Sequence, residues 1–188
     1  MIDARDLRDK AHLGNISNER PGYYKWWADE ETFREILTEL EVGFEEIEPY
    51  VEKQGELYCV YVGIAANESI RNRLNWHVND SHTLARVKNG TLSTLRQSIS
   101  SLVAHDQSDK EATDNFIDRL KIEYFENENP IGSPQAKEEL RDVERALMQK
   151  NLYVLNIQEN RHEMAGPIRR RLRKIRREGR ERALAGHR

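Results

Sequence analysis

The chain of 188 residues and 22.1 kDa is 37% hydrophobic and 34% charged with a net charge of −3, which fits one domain with appendages, long enough to bury a sizeable core. No apolar run approaches the roughly 20 residues that cross a bilayer, and "MIDARDLRDK" lacks a signal-peptide core, so no membrane partner is expected. Cys59 is the only cysteine. That excludes an internal disulfide and a cysteine zinc cluster, and the expectation is a soluble cytoplasmic protein.

Along the chain, residues 1–19 read as an extension that Pro21-Gly22 punctuates, and "GYYKWW" (22–27) is aromatic enough for a short strand. Asp29 is placed to cap a helix over "EETFREILTEL", where Phe33, Ile36, Leu37 and Leu40 fall at helical spacing. "ELYCVYVGIA" (56–65) is the strongest strand, broken at Gly63. Alternation along it puts Tyr61 beside Leu57 and Cys59, opposite Tyr58, Val60 and Val62. Asn67 then caps a helix with Ile70, Leu74 and Val78 as its stripe. Helices follow over "TLSTLRQSISSLVAH" (91–105) and "ATDNFIDRL" (112–120), then a third strand, "LKIEYFE" (120–126). Ser133-Pro134 opens a helix through "QAKEELRDVERALMQKN", with proline in its first turn. "LYVLNIQENRH" leads to a basic C-terminal helix. The order describes a small mixed α/β domain over residues 20–166.

The charge is unevenly spread. Residues 167–188 carry ten Lys/Arg against Glu178 and Glu181, which leaves 20 basic and 31 acidic residues in 1–166. A basic arm on an acidic body suggests a polyanion partner, with nucleic acid first; a helix docked on its own acidic body fits the same counts.

Three positions carry potential chemistry. Arg73 and His77 project from one helix face four residues apart, where a guanidinium can hold a phosphate and an imidazole can move a proton. A polar helix shoulder would look the same. Glu144 lies among Leu140, Val143, Leu147 and Met148 instead of opposite them, a costly place for a carboxylate without a cation, hydrogen bond or metal; a salt-bridged edge residue is the plainer alternative. Of the strand tyrosines 23, 24, 58 and 61, most should be core.

"PGYY" (21–24) followed by "LYCVYVG" (57–63) resembles the paired strand motifs of the GIY-YIG nuclease family. The resemblance extends to an arginine on the next helix (Arg73), with His77 four later as in the restriction-enzyme branch. It continues in a glutamate on a later helix (Glu144) and an asparagine twelve positions on (Asn156). It covers residues 20 to 157 with five separated elements in the right order. It implies an α+β fold: a three-stranded antiparallel sheet flanked by helices, with helical insertions near 28–56 and 79–118. Two departures stand out. The first motif is Gly-Tyr-Tyr, and Ile64 stands where many members place a lysine, so a basic helper comes from elsewhere (Lys25, Lys88) or is missing.

The resemblance implies a metal-dependent DNA endonuclease of restriction or genome-defence type. In that reading Glu144 holds one Mg2+ (or Mn2+), Arg73 clamps the phosphate and Tyr24 is the general base. Tyr61 positions water or phosphate, His77 shares the proton, and Asn156 positions Glu144 or nearby backbone. DNA contacts are expected from Arg86, Lys88 and Arg96 in the second insertion and from Arg169, Arg170 and Arg171 in the tail. Cutting both strands with one site per chain favours a homodimer or sequential nicking. The alternative function is a catalytically impaired nucleic-acid-binding module on the same scaffold.

Overall fold

The computed structural model describes residues 1–186, with an α+β fold. Its sheet runs in the order β1-β5-β2-β4-β3, every pairing antiparallel. The long strands are β2 (Gly22–Ala28), β4 (Leu57–Ala65) and β5 (Lys121–Glu126), the three expected. The sheet nevertheless has five strands. β1 (Ile2–Asp3) pairs with β5, and β3 (Lys53–Gln54) forms a hairpin with β4 through Gly55 at φ 60°. Two residues are too few to show alternation, so neither strand leaves a pattern in the sequence.

The helices among the described residues are α1 (Lys10–Gly14), α2 (Glu30–Glu39), α3 (Phe44–Ile47), α4 (Ile70–Asn79), α5 (Leu84–Asn89), α6 (Thr94–Val103), α7 (Lys110–Ile117), α8 (Pro134–Lys150) and α9 (Ala165–Ala185). Side-chain oxygens set several starts: Asp29 accepts from Thr32 N–H and Ser133 from Ala136 N–H. Ser69, not Asn67, caps α4, accepting from Asn72 N–H, and Ser93 caps α6, accepting from Arg96 N–H. No helix among the described residues is long and apolar enough to cross a membrane.

Helix α8 covers one side of the sheet, where Met148 and Tyr153 pack on Trp27, Cys59 and Val62. The larger core lies on the other side, built from Tyr24, Trp26, Tyr58 and Val60 with the apolar stripes of α2, α4, α6 and α9. The basic C-terminal helix therefore has an apolar side: Ile168, Leu172 and Ile175 belong to this core. Gly179 lies so close to α6 that an added Cβ would stand 2.7 Å from Ser101 Oγ.

Two local features of β4 set the positions of its tyrosines. The strand continues through Gly63 to Ala65, so the expected break does not occur. In its place there is a bulge: Trp26 pairs with Tyr61 and Trp27 with Cys59, so Val60 is skipped. Simple alternation fails there. Val60 and Tyr61 both join the larger core, and Tyr61 lies on the side of Tyr24 and Tyr58, opposite Leu57 and Cys59.

Candidate active site

Tyr24 and Gly63 are cross-strand partners. The absent side chain at Gly63 makes room for the Tyr24 phenol: a Cβ there would stand 2.5 Å from Tyr24 Oη and 2.7 Å from Cζ. Tyr24 Oη lies 2.6 Å from His77 Nε2. The rings of Tyr24, Tyr61 and His77 form a triangle with centroid separations of 6.4, 5.2 and 6.0 Å. Burial pushes both phenols above the ordinary tyrosine value and, helped by the positive charges of Arg73 and Arg96, holds the imidazole well below 6.5. At neutral pH the ring is uncharged, so Nε2 can accept from Tyr24 O–H, while Nδ1 is buried without a partner among the described residues.

Arg73 lies on the same face of α4 as His77, tied to Glu68 at 2.6 Å with its guanidinium over the Trp76 ring. Its Nε is buried and unpartnered. Arg73 stands one helical turn from His77, whose ring closes the triangle with both phenols; Tyr24, Arg73 and His77 do not line the pocket that holds Glu144.

Glu144 and Tyr61 line one pocket of about 160 Å³ beside the edge of β4 that β3 leaves unpaired, together with Thr94, Asn156, Gln158, Glu159 and Arg176. The Glu144 carboxylate has no hydrogen-bond or ion-pair partner among the described residues. Burial, with the charge of Glu159 adding and Arg141 opposing, raises its pKa to about 7. No group of three or more His, Cys, Asp or Glu side chains is gathered for a metal among the described residues.

Asn156 acts through the backbone. Its Oδ1 accepts from Val62 N–H at 2.9 Å and its Nδ2 donates to Val62 O at 2.8 Å, while Leu155 N–H donates to Val60 O. The amide thus serves as the next strand along a β4 edge that β3 leaves uncovered. It holds the segment between Tyr61 and Gly63, and no bond links it to Glu144.

Of the expected DNA contacts, Arg96 is overturned. It is fully buried, and its guanidinium bonds His82, the His77 and Val78 carbonyls, and Asp114. It ties off the end of α4, which is why a buried arginine sits in a hydroxyl-rich helix. Arg86 pairs with Asp80, Arg171 with Glu41, and Arg169 donates to the Asn160 carbonyl. Lys88 and Arg170 are exposed. Lys25 is buried and paired with Glu52 at 2.6 Å, away from the pocket.

Two further pocket groups were not expected from sequence. Thr94 bonds Tyr61 Oη at 2.8 Å from the first turn of α6, and no pattern marks it. Arg176 follows Ile175 and lies four residues after Leu172, so its place beside the apolar stripe of α9 is the signal that could have found it.

A family model described as the GIY-YIG catalytic domain matches residues 22–178. Comparison with curated proteins and with solved structures gives no match.

Proposed function

This chain belongs to the GIY-YIG family, and from that premise we propose that it is a divalent-metal-dependent endonuclease hydrolysing DNA phosphodiesters, of restriction or defence type. The observation that carries the reading is the Tyr24–His77 hydrogen bond set behind Tyr61, with an unpaired carboxylate in the pocket that Tyr61 lines.

In this reading the water that attacks phosphorus gives its proton to Tyr24, which passes its own to the neutral Nε2 of His77. The relay suits a phenol that burial holds too weakly acidic to ionise by itself. Negative charge building on the phosphoryl oxygens offsets the imidazolium that forms. Arg73, fixed by Glu68 and Trp76 with part of its side chain exposed, is the guanidinium that holds a phosphate oxygen. Tyr61, anchored by Thr94, orients water or phosphate.

Glu144 fits a hard cation that keeps most of its waters: one unpaired carboxylate, with Glu159 as the second carboxylate of the pocket, suits Mg2+ or Mn2+. When bound, such an ion supplies Lewis-acid stabilisation of charge on the phosphate and the leaving oxygen. The exposed Lys88 and Arg170 then serve as backbone contacts.

Plasmid nicking with Mg2+ or Mn2+ tests the reading. Wild type should cut, and Glu144→Ala should lose at least about 100-fold, the range seen when one transition-state contact is removed. Equal cutting by both proteins would place the activity elsewhere. DNA binding without any cutting would favour the impaired-module reading, for which Ile64 after Gly63 is the specific observation.

A further inference from the structure

We propose that Arg176, carried in on the C-terminal helix, is a phosphate-binding residue of the active site, holding a non-bridging oxygen of the bound DNA strand across the pocket from Glu144. The inference rests on the nuclease reading and extends it to a residue outside the five elements of the resemblance.

The placement is built. Helix α9 docks on α6 through Gly179 against Ser101, with the Gln107 side chain donating to Arg176 O and the Gln107 N–H to Gly179 O. Arg176 then reaches the pocket wall shared with Tyr61, Thr94 and Glu144. One guanidinium nitrogen donates to Gln97 Oε1. Gln97 is itself oriented by donating its amide to the Gly90 and Leu92 carbonyls. That contact is neutral, and no carboxylate lies within ion-pair distance of Arg176 among the described residues.

A partly buried cation without a counter-ion is costly, and burial pulls its pKa down to about 10, so it remains charged at neutral pH. The other buried arginine of this core, Arg96, is paired with Asp114. Among the described residues the remaining N–H groups of Arg176 are unpaired, and its pocket also holds the unpaired Glu144 carboxylate. A phosphate satisfies both sides, taking the guanidinium directly and the carboxylate through a cation.

The test uses the full chain with Arg176→Gln, Arg176→Met and Arg176→Lys, and with Arg177→Gln as an exposed neighbour on the same helix. Binding of a fluorescent DNA duplex without added metal, cleavage with Mg2+, and thermal stability are read together. Arg176→Gln and Arg176→Met should weaken binding about 10- to 100-fold, the usual value of a charge-assisted contact. Arg176→Lys should retain part of it, and Arg177→Gln should stay within about threefold. Met preserves the packing of the side-chain stem, so weakened binding at unchanged stability separates phosphate contact from support of the fold. Wild-type binding and cutting by Arg176→Met would overturn the inference while leaving the nuclease reading intact. Arg176-dependent binding with no cleavage by wild type would instead sink the nuclease reading and keep the anion site.

Discussion

At the scale of single residues, the Gly63–Tyr24 contact explains why an apolar strand contains a glycine. The strand does not need its flexibility; it needs the space over which a phenol lies. Gly63→Ala should cost about 1–3 kcal/mol through overpacking and reduce cleavage more than it reduces binding, as read by thermal melts beside kinetics. Combining it with Tyr24→Phe should recover only part of the stability, because Cζ as well as Oη obstructs the new methyl. Glu144 makes a prediction of the opposite kind. Its folded pKa of about 7 lies above the ordinary 4.5, so the folded protein binds a proton that the unfolded chain releases. Stability of the metal-free protein should therefore fall as pH rises from about 4.5 to 7, and Glu144→Gln should remove that contribution. Thermal melts across this range that are identical for the two proteins would refute it.

At the scale of elements, the edge of β4 beyond β3 organises the candidate site. β3 protects only its first residues, and the Asn156 amide completes the pairing at Val62 by presenting a carbonyl to N–H and N–H to a carbonyl. Asn156→Asp would set a carboxylate oxygen against the Val62 carbonyl. It should lower stability by about 2–4 kcal/mol and cleavage with it, whereas Asn156→Gln should do so less if the longer amide still reaches. The motif order singled out Asn156 as a candidate, but its partner was not legible, since the partner is a backbone group 94 positions away. Tyr61 teaches the same lesson. Period-two alternation placed it on the wrong face, because a single skipped residue at Val60 inverts the parity between the two ends of the strand. Arg96 shows the limit for charged residues. An arginine on a helix rich in serine reads as a solvated contact, and only the packed structure shows His77 O, Val78 O and Asp114 closing around it. Arg96→Met should destabilise by about 3–5 kcal/mol, the cost of breaking a buried pair, without altering DNA affinity of the molecules that remain folded. Titration by DNA of the folded fraction distinguishes the two.

At the scale of the whole molecule, the C-terminal helix is part of the core and of the pocket. Its basic side faces outward, but Ile168, Leu172 and Ile175 are buried with the helices of the sheet. Removing residues 165–188 should therefore give aggregation or a large fall in melting temperature, not an intact enzyme with a flatter salt dependence. The tail's contribution to DNA affinity is better read from Arg170→Gln and Lys88→Gln, which should each reduce the salt slope by about one counterion if they touch phosphates. Acid stability is a global property too. His82 donates from Nδ1 to the Gln107 carbonyl and accepts from Arg96 at Nε2, an arrangement only the neutral ring can make. Its pKa of about 4 lies below the ordinary 6.5, so the unfolded chain takes up a proton that the fold refuses. Stability should fall as pH drops from about 6.5 towards 4, and a melt series with His82→Gln should show a shallower fall.

Residue order alone was enough for the three long strands, the helix stripes and the family, and it named aromatic, guanidinium and carboxylate candidates for the site. These depend on short-range periodicity and on residue types at fixed order along the chain. Folding in three dimensions was needed to settle which faces those groups share. It also decided that an amide 94 residues away completes the β4 edge, and that a helix from the far end of the chain lends its arginine to the pocket. Such choices depend on a bulge, a close helix approach and the satisfaction of buried donors, and none of these has a period that a linear pattern can display.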